Sequence, residues 1–167
     1  LGSTGGQGGH AAGDTLANFA AVVGSAFNDI LIGFNNADNV LIGGDGNDSI
    51  QTILGDTALG GGGDDWLVGS AEAGDGNEDS LNGGDGNDQL VGDTGNDLMF
   101  GGAGDDQMWG GEDNDIMIGF TASNDPKQTL AAGETDNDLM FGGDGSDNLY
   151  GKLGNDQMEG GNGNDLI

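Results

Sequence analysis

The chain has no cysteine, one proline, one histidine and two basic side chains in 167 residues. Each shortage removes a class of explanation. Without cysteine there are neither disulfides nor thiolate metal sites. With His10 as the single imidazole, transition metals, which favour nitrogen and sulfur donors, have little to bind. Lys127 and Lys152 make no basic cluster, so nucleic acid and anionic membrane surfaces are poor partners. No apolar run approaches the ~20 residues of a membrane span, and no basic-then-apolar signal peptide opens the chain. Catalysis lacks material too. There is no nucleophile elbow, and with one His and no Cys there is no visible catalytic set, so the segment is read as not an enzyme. The chain begins at Leu1 and stops partway through a repeat at Ile167, which reads as a segment or processed form of something longer.

What is present is glycine and negative charge. Thirty carboxylates leave a formal charge of −28, and self-repulsion of that size opposes a compact state in the absence of counter-ions. Thirty-nine glycines and only 34% apolar residues add to the difficulty, because a free backbone loses much entropy on ordering while little apolar surface is available to offset it. A cation is therefore the first partner to expect.

Order in the sequence separates this chain from an acidic disordered one. A Gly-Gly-x-Gly-x-Asp-x-apolar-x unit recurs every nine residues. From Gly83 it reads G-G-D-G-N-D-Q-L-V, then G-D-T-G-N-D-L-M-F, G-G-A-G-D-D-Q-M-W and G-G-E-D-N-D-I-M-I, ending at Ile118. A second block runs from Gly133 to Ile167, with earlier copies at Gly43 to Gln51 and Gly60 to Val68 and looser ones from Gly24. The sixth position is Asp in twelve copies, with Asn39 as a substitute, and the eighth is apolar in the same copies. The stretches 69–82 and 119–132 have fourteen residues each, one unit plus five, so each is expected to bulge as a loop and to leave its flanking aspartates 23 apart. Thr52 to Leu59 is one residue short and carries Asp56, so a distorted turn is expected there. Residues 1–23 form a Gly-rich lead and a strand-like N-terminal cap, and the repeat region spans 24–167.

Nine residues divide into a six-residue Gly-rich turn and a three-residue strand whose middle side chain faces inward. Two units make one coil. The expected fold is all-β, a right-handed parallel β-roll, or solenoid, of stacked repeats. Tight turns of this kind need glycine for positive φ and for close approach of backbone to an ion. Calcium takes six to eight oxygens, which carbonyls and carboxylates of two stacked turns supply, whereas magnesium demands a small octahedron and keeps its waters. The candidate metal ligands are the carboxylates of Asp48, Asp65, Asp79, Asp88, Asp97, Asp106, Asp115, Asp138, Asp147, Asp156 and Asp165. With them stand the turn glycines, Gly44, Gly61, Gly84, Gly102, Gly111, Gly143 and Gly161 at the second position. Gly46, Gly63, Gly86, Gly95, Gly104, Gly145, Gly154 and Gly163 occupy the fourth. Stacking pairs Asp48 with Asp65, Asp65 with Asp88, Asp79 with Asp97, Asp88 with Asp106 and Asp97 with Asp115. Beyond the second loop it pairs Asp115 with Asp138, Asp138 with Asp156 and Asp147 with Asp165. About eight divalent ions at such pairs would lower the charge from −28 to about −12. An EF-hand is rejected, since pieces such as Asp45-Gly46-Asn47 lack its Gly at loop position six and Glu at twelve.

These repeats resemble the RTX, or haemolysin-type, calcium-binding repeats over about Gly24 to Ile167. The resemblance implies a parallel β-roll that binds calcium through turn carbonyls and the sixth-position Asp. It implies a bacterial protein exported by type I secretion, unfolded at low cytosolic calcium and folded outside the cell, with the array as a structural and secretion module of a larger secreted chain that could carry a separate catalytic domain. Departures at Asp113, Asp136, Lys152, Leu153 and Asn77 are expected to weaken the sites that use those turns. The alternative function is a self-assembling or adhesive extracellular protein, a filament, surface layer or adhesin stabilised by calcium. It draws on a band formed by Phe100, Trp109, Phe141 and Tyr150 at ninth positions, which suits self-association or another domain.

Overall fold

A computed structural model describes residues 20–33, 38–69, 78–119 and 136–167. The Gly-rich lead, most of the cap, and residues 70–77 and 120–132 of the two expected loops lie outside the described residues. Among the described residues the chain forms fourteen strands: β1 (Ala21–Val23), β2 (Ile30–Ile32), β3 (Val40–Asp45), β4 (Ser49–Gln51), β5 (Thr57–Gly62), β6 (Trp66–Val68), β7 (Ser80–Asp85), β8 (Gln89–Thr94), β9 (Leu98–Ala103), β10 (Gln107–Glu112), β11 (Ile116–Ile118), β12 (Leu139–Gly145), β13 (Asn148–Tyr150) and β14 (Gln157–Gly163). Odd strands make one seven-stranded sheet and even strands the other, each stacked in chain order, and all their pairings are parallel. This is a parallel β-roll: each turn carries the chain from one sheet to the other, and every second strand returns one rung higher.

The core follows from the eighth position. Leu41, Ala58, Leu81, Met99, Met117 and Leu149 project from the odd sheet, and Ile50, Leu67, Leu90, Met108 and Met140 from the even one, each at most 1% exposed. Full burial of one such Leu, Ile or Met is worth about 1.5–3 kcal/mol. There is one per nine residues, so the apolar seam is a single file from each side. Val22 and Leu31 at one end of the stack and Met158 at the other are only partly buried.

Register shows what the two insertions do. Across the first, Thr57 pairs with Ser80 and Trp66 with Gln89, a separation of 23 residues. Across the second, Gln107 pairs with Leu139 and Ile116 with Asn148, a separation of 32. The expected 23-residue spacing there is therefore wrong: fourteen residues, not five, are added between the stacked aspartates. Asp115 stacks on Asp147, not on Asp138, and Asp138 stacks on Asp106. The reason lies in the residues. The unit 74–82 keeps Asp79 and Leu81 at the sixth and eighth phases and forms β7, whereas 124–132 has Thr129 and Ala131 there and no glycine, hence neither a turn carboxylate nor a bulky core side chain.

Candidate metal centre

The sixth-position carboxylates form two ladders, one along each edge of the roll. In the first, the N–H groups of Asp29, Asp48, Asp65, Asp88, Asp106 and Asp138 donate to Oδ1 of Asp48, Asp65, Asp88, Asp106, Asp138 and Asp156 in turn, at 2.8–3.0 Å. In the second, Asn39, Asp56, Asp79, Asp97, Asp115 and Asp147 donate to Asp56, Asp79, Asp97, Asp115, Asp147 and Asp165, at 2.6–3.1 Å. Each strand from β4 on, and β2, begins immediately after its aspartate, so the backbone ladder of the sheet carries the carboxylate into register with the one above. Apart from the Asp115–Asp138 pair, the stacking expected from the spacing is the stacking observed.

One oxygen of each carboxylate is thus used by the protein. In eight of them the other is not. Oδ2 of Asp48, Asp65, Asp88, Asp97, Asp106, Asp115, Asp138 and Asp147 is buried and has no hydrogen-bond partner. Buried polar atoms are seldom left so, because an unsatisfied one costs about 1–3 kcal/mol and a charged one more. These Oδ2 atoms point at the first glycine of their own turn, Asp48 at Gly43, Asp65 at Gly60 and Asp88 at Gly83, into the place a Cβ would fill, except that Asp138 points at Gly119, ahead of the insertion.

The main-chain oxygens beside them are those of the first-position glycine one coil on, Gly60 beside Asp48 Oδ2, Gly83 beside Asp65 Oδ2 and Gly101 beside Asp88 Oδ2; further carbonyls line the same turns. The carbonyl of Gly44 lies against Gly61, that of Gly61 against Gly84, and that of Gly84 against Gly102. Gly46, Gly63, Gly86 and Gly104 repeat this at the fourth position. The backbone at these two positions is left-handed, with φ of 118° at Gly84 and 136° at Gly86, which any side chain would oppose. Three residues accept that conformation without being glycine: Asp93, Asp113 and Lys152, at φ of 81°, 76° and 77°. The turn geometry is thereby kept at a cost of about 1–2 kcal/mol each. Gly145 lacks a positive φ but abuts the Asp113 carbonyl.

The electrostatics agree with the geometry. Burial, reinforced by the neighbouring carboxylates, pushes Asp65 up to about 6, Asp88, Asp97, Asp115 and Asp138 to about 7 and Asp106 to about 8. Asp48, Asp56 and Asp147 are raised for the same first reason. Such carboxylates favour either a proton or a cation. Among the described residues no three acidic or histidine side chains converge on a single point. A cation here would therefore draw one or two carboxylate oxygens and complete its shell from carbonyls, a hard-oxygen donor set that suits calcium and suits thiophilic or imidazole-seeking metals badly.

Three features escaped the spacing argument. Asp56, in the short turn, occupies the sixth-position place: its Oδ1 accepts the Asn39 N–H at 2.6 Å and its Oδ2 the Ile53 N–H at 3.0 Å. Leu54 and Gly55, at φ of 62° and 68°, absorb the missing residue. A further ladder runs through the fifth position in the opposite sense. Asn47, Asp64, Asn87, Asp105, Asn137 and Asn155 donate their N–H groups to Oδ1 of the fifth-position residue one coil back, at 2.8–3.1 Å. The recurrent Asn or Asp just before the sixth-position Asp was the available signal. The third feature is Asp136, at 1% exposure with Oδ2 unpartnered.

The aromatic band divides. Trp109 on β10 and Phe141 on β12 stack at 6.3 Å with ring planes 13° apart, on the outer face of the even sheet. Phe100 on β9 and Tyr150 on β13 lie on the odd sheet with Ile118 paired between them. The four residues are two ranks on opposite faces, because successive nine-residue units alternate between sheets.

A family model described as the RTX calcium-binding nonapeptide repeat matches four times, at residues 21–50, 54–90, 82–117 and 132–167. No curated protein matches the chain. Among the described residues no helix is long and apolar enough to cross a membrane.

Proposed function

The chain belongs to the RTX calcium-binding nonapeptide repeat family, and from that premise we propose that its folding is driven by calcium ions taken up where successive turns stack. It is a calcium-binding repeat module, and the family is one of binding repeats rather than of catalytic domains. The observation that most supports coupled folding is the row of buried, unpartnered Oδ2 atoms, which recurs in the same place in turn after turn. The ligands are the sixth-position carboxylates from Asp48 to Asp165 with the second- and fourth-position carbonyls of the same turns, and about eight ions would be held. Bound calcium supplies the positive charge that offsets the repulsion within a chain of formal charge −28. Because the paired turns do not exist in the extended chain, binding and folding are one event.

This coupling gives the module its setting. Where calcium is scarce, inside a cell, the chain stays open; outside, it folds, so it serves as a structural and secretion module of a larger secreted protein. Self-assembly is the second reading, favoured by the outward Trp109–Phe141 pair on the even sheet. Metal analysis after dialysis against equal calcium and magnesium tests the proposal. Several calcium ions retained per chain, with little magnesium, is the expected result; retention of neither contradicts it. Light scattering of the calcium-loaded chain separates a monomeric module from an assembling one.

A further inference from the structure

The turn that follows β11 departs from the repeat at its fourth position, where Asp136 replaces glycine. In regular turns the fourth-position N–H donates to a main-chain carbonyl one coil on: Gly46 to Gly62 at 2.6 Å, Gly63 to Asp85 at 2.7 Å, Gly86 to Ala103 at 2.8 Å. The fourth-position N–H of Gly104 donates to Oδ1 of Asp136 at 3.3 Å, so one oxygen of Asp136 is engaged by the coil behind it. Its Oδ2 has no hydrogen-bond partner, although the residue is only 1% exposed. Asp138 repeats the arrangement, with Oδ1 taking the Asp106 N–H at 3.0 Å and Oδ2 buried and unpartnered.

The surroundings are acidic on both sides. Burial first, then Asp156 one coil on and Asp105 one coil back, raise the Asp136 carboxyl to about 6, and Asp136 in turn acts on Asp138 and Asp106. Lys152, the one basic side chain among the described residues, is directed over the Tyr150 ring, with Nζ 5.1 Å from its centroid. Replacement of glycine by Asp is not in itself the cause. Asp113 stands at the same phase in the turn after β10, yet it is exposed.

We infer that Asp136 is a side-chain ligand for a divalent cation, so that this turn holds calcium through two carboxylates of its own, Asp136 and Asp138, where its neighbours offer one. The inference rests on the calcium reading above and reverses the expectation that this departure weakens its turn. Calcium affinity rises with the number of charged ligands, so this is the tightest site of the roll. It lies on the rung that follows the insertion, where β12 pairs with β10 across a separation of 32 residues.

The experiment is a calorimetric titration of the whole chain with calcium chloride, comparing wild type with D136N, D136G and, as a control at an exposed third position, D45N. D136N keeps an amide oxygen for the Gly104 N–H, so it reports the charge and not the ladder bond. D136N and D136G are expected to weaken the tightest binding step about tenfold or more, and D45N to leave it within about twofold. Wild-type binding by D136N, or tighter binding by D136G as the repeat pattern alone would predict, overturns the inference. A wild-type chain that takes up no calcium defeats the calcium reading itself, whatever Asp136 does.

Discussion

The N–H of Asp88 donates to Oδ1 of Asp106, eighteen residues on and one coil away, at 2.8 Å, while Oδ2 of Asp106 stays buried with no partner. One carboxylate thus does two different things. It fixes the rung below it through one oxygen, and it offers the other to a cation. The pairing ties the spacing of the repeat to its chemistry, since only a return of the chain to the same edge brings the two aspartates together.

Asp106→Ala removes both functions. It leaves the Asp88 N–H buried and unpaired, which costs about 1–3 kcal/mol, and it removes a ligand. The calcium midpoint for folding, followed by circular dichroism, is expected to rise, whereas Asp45→Ala, at an exposed third position, leaves it nearly unchanged. Equal effects of the two would contradict the register.

Asp56→Ala is expected to behave as a sixth-position variant although it lies outside the nine-residue phase. It strands the N–H groups of Asn39 and Ile53 and lowers the thermal midpoint of the calcium-loaded chain by an amount comparable to Asp106→Ala. A surface-like change of less than about 0.5 kcal/mol would show that the short turn contributes little.

Glycine is needed at some turn positions and not at others. Gly84→Ala forces a side chain into φ of 118° and against the Gly61 carbonyl, and is expected to prevent calcium-dependent folding or to raise its midpoint several-fold. Gly62→Ala, whose added Cβ would meet only Asp45 Oδ1 at 3.6 Å, is expected to be tolerated. Intolerance at both positions would point to general loss of flexibility instead.

Acid and calcium are alternatives for the same carboxylates. In the folded, metal-free chain Asp106 rises to about 8 and Asp88, Asp97, Asp115 and Asp138 to about 7, from 3.8. The folded state therefore binds more protons than the unfolded one between these limits, and stability falls as pH rises through them. This contribution is fully present below about pH 3.8 and is lost by about pH 8. In excess chelator, residual β-structure is expected to grow as pH is lowered from about 8 to 4.5; a steady loss over that window would contradict the shifts.

Much of this was legible because two chemistries share one period. Asp88 and Leu90, two residues apart, define turn and core together, and any register that places one places the other. What was not legible depended on events that break the period. The unit 124–132 has the length of a repeat but neither Asp nor a large apolar residue at the decisive phases, so counting residues alone misassigned Asp115 to Asp138 when the roll pairs it with Asp147. Asp56 was hidden by one missing residue, which Leu54 and Gly55 absorb through left-handed backbone. Asp136 looked like a defect because sequence gives no burial; only its unpartnered Oδ2 marks it out. The split of Phe100 and Tyr150 from Trp109 and Phe141 follows from the alternation of units between sheets.

The central claim is that cations held between stacked turns hold this polyanion closed, and a calcium titration from excess chelator, followed by far-ultraviolet circular dichroism with magnesium as control, tests it most directly. The account predicts an open chain in chelator, a cooperative rise of β-structure with calcium, and little response to magnesium. A chain already fully folded in chelator at neutral pH, or one that folds equally with magnesium, would contradict it.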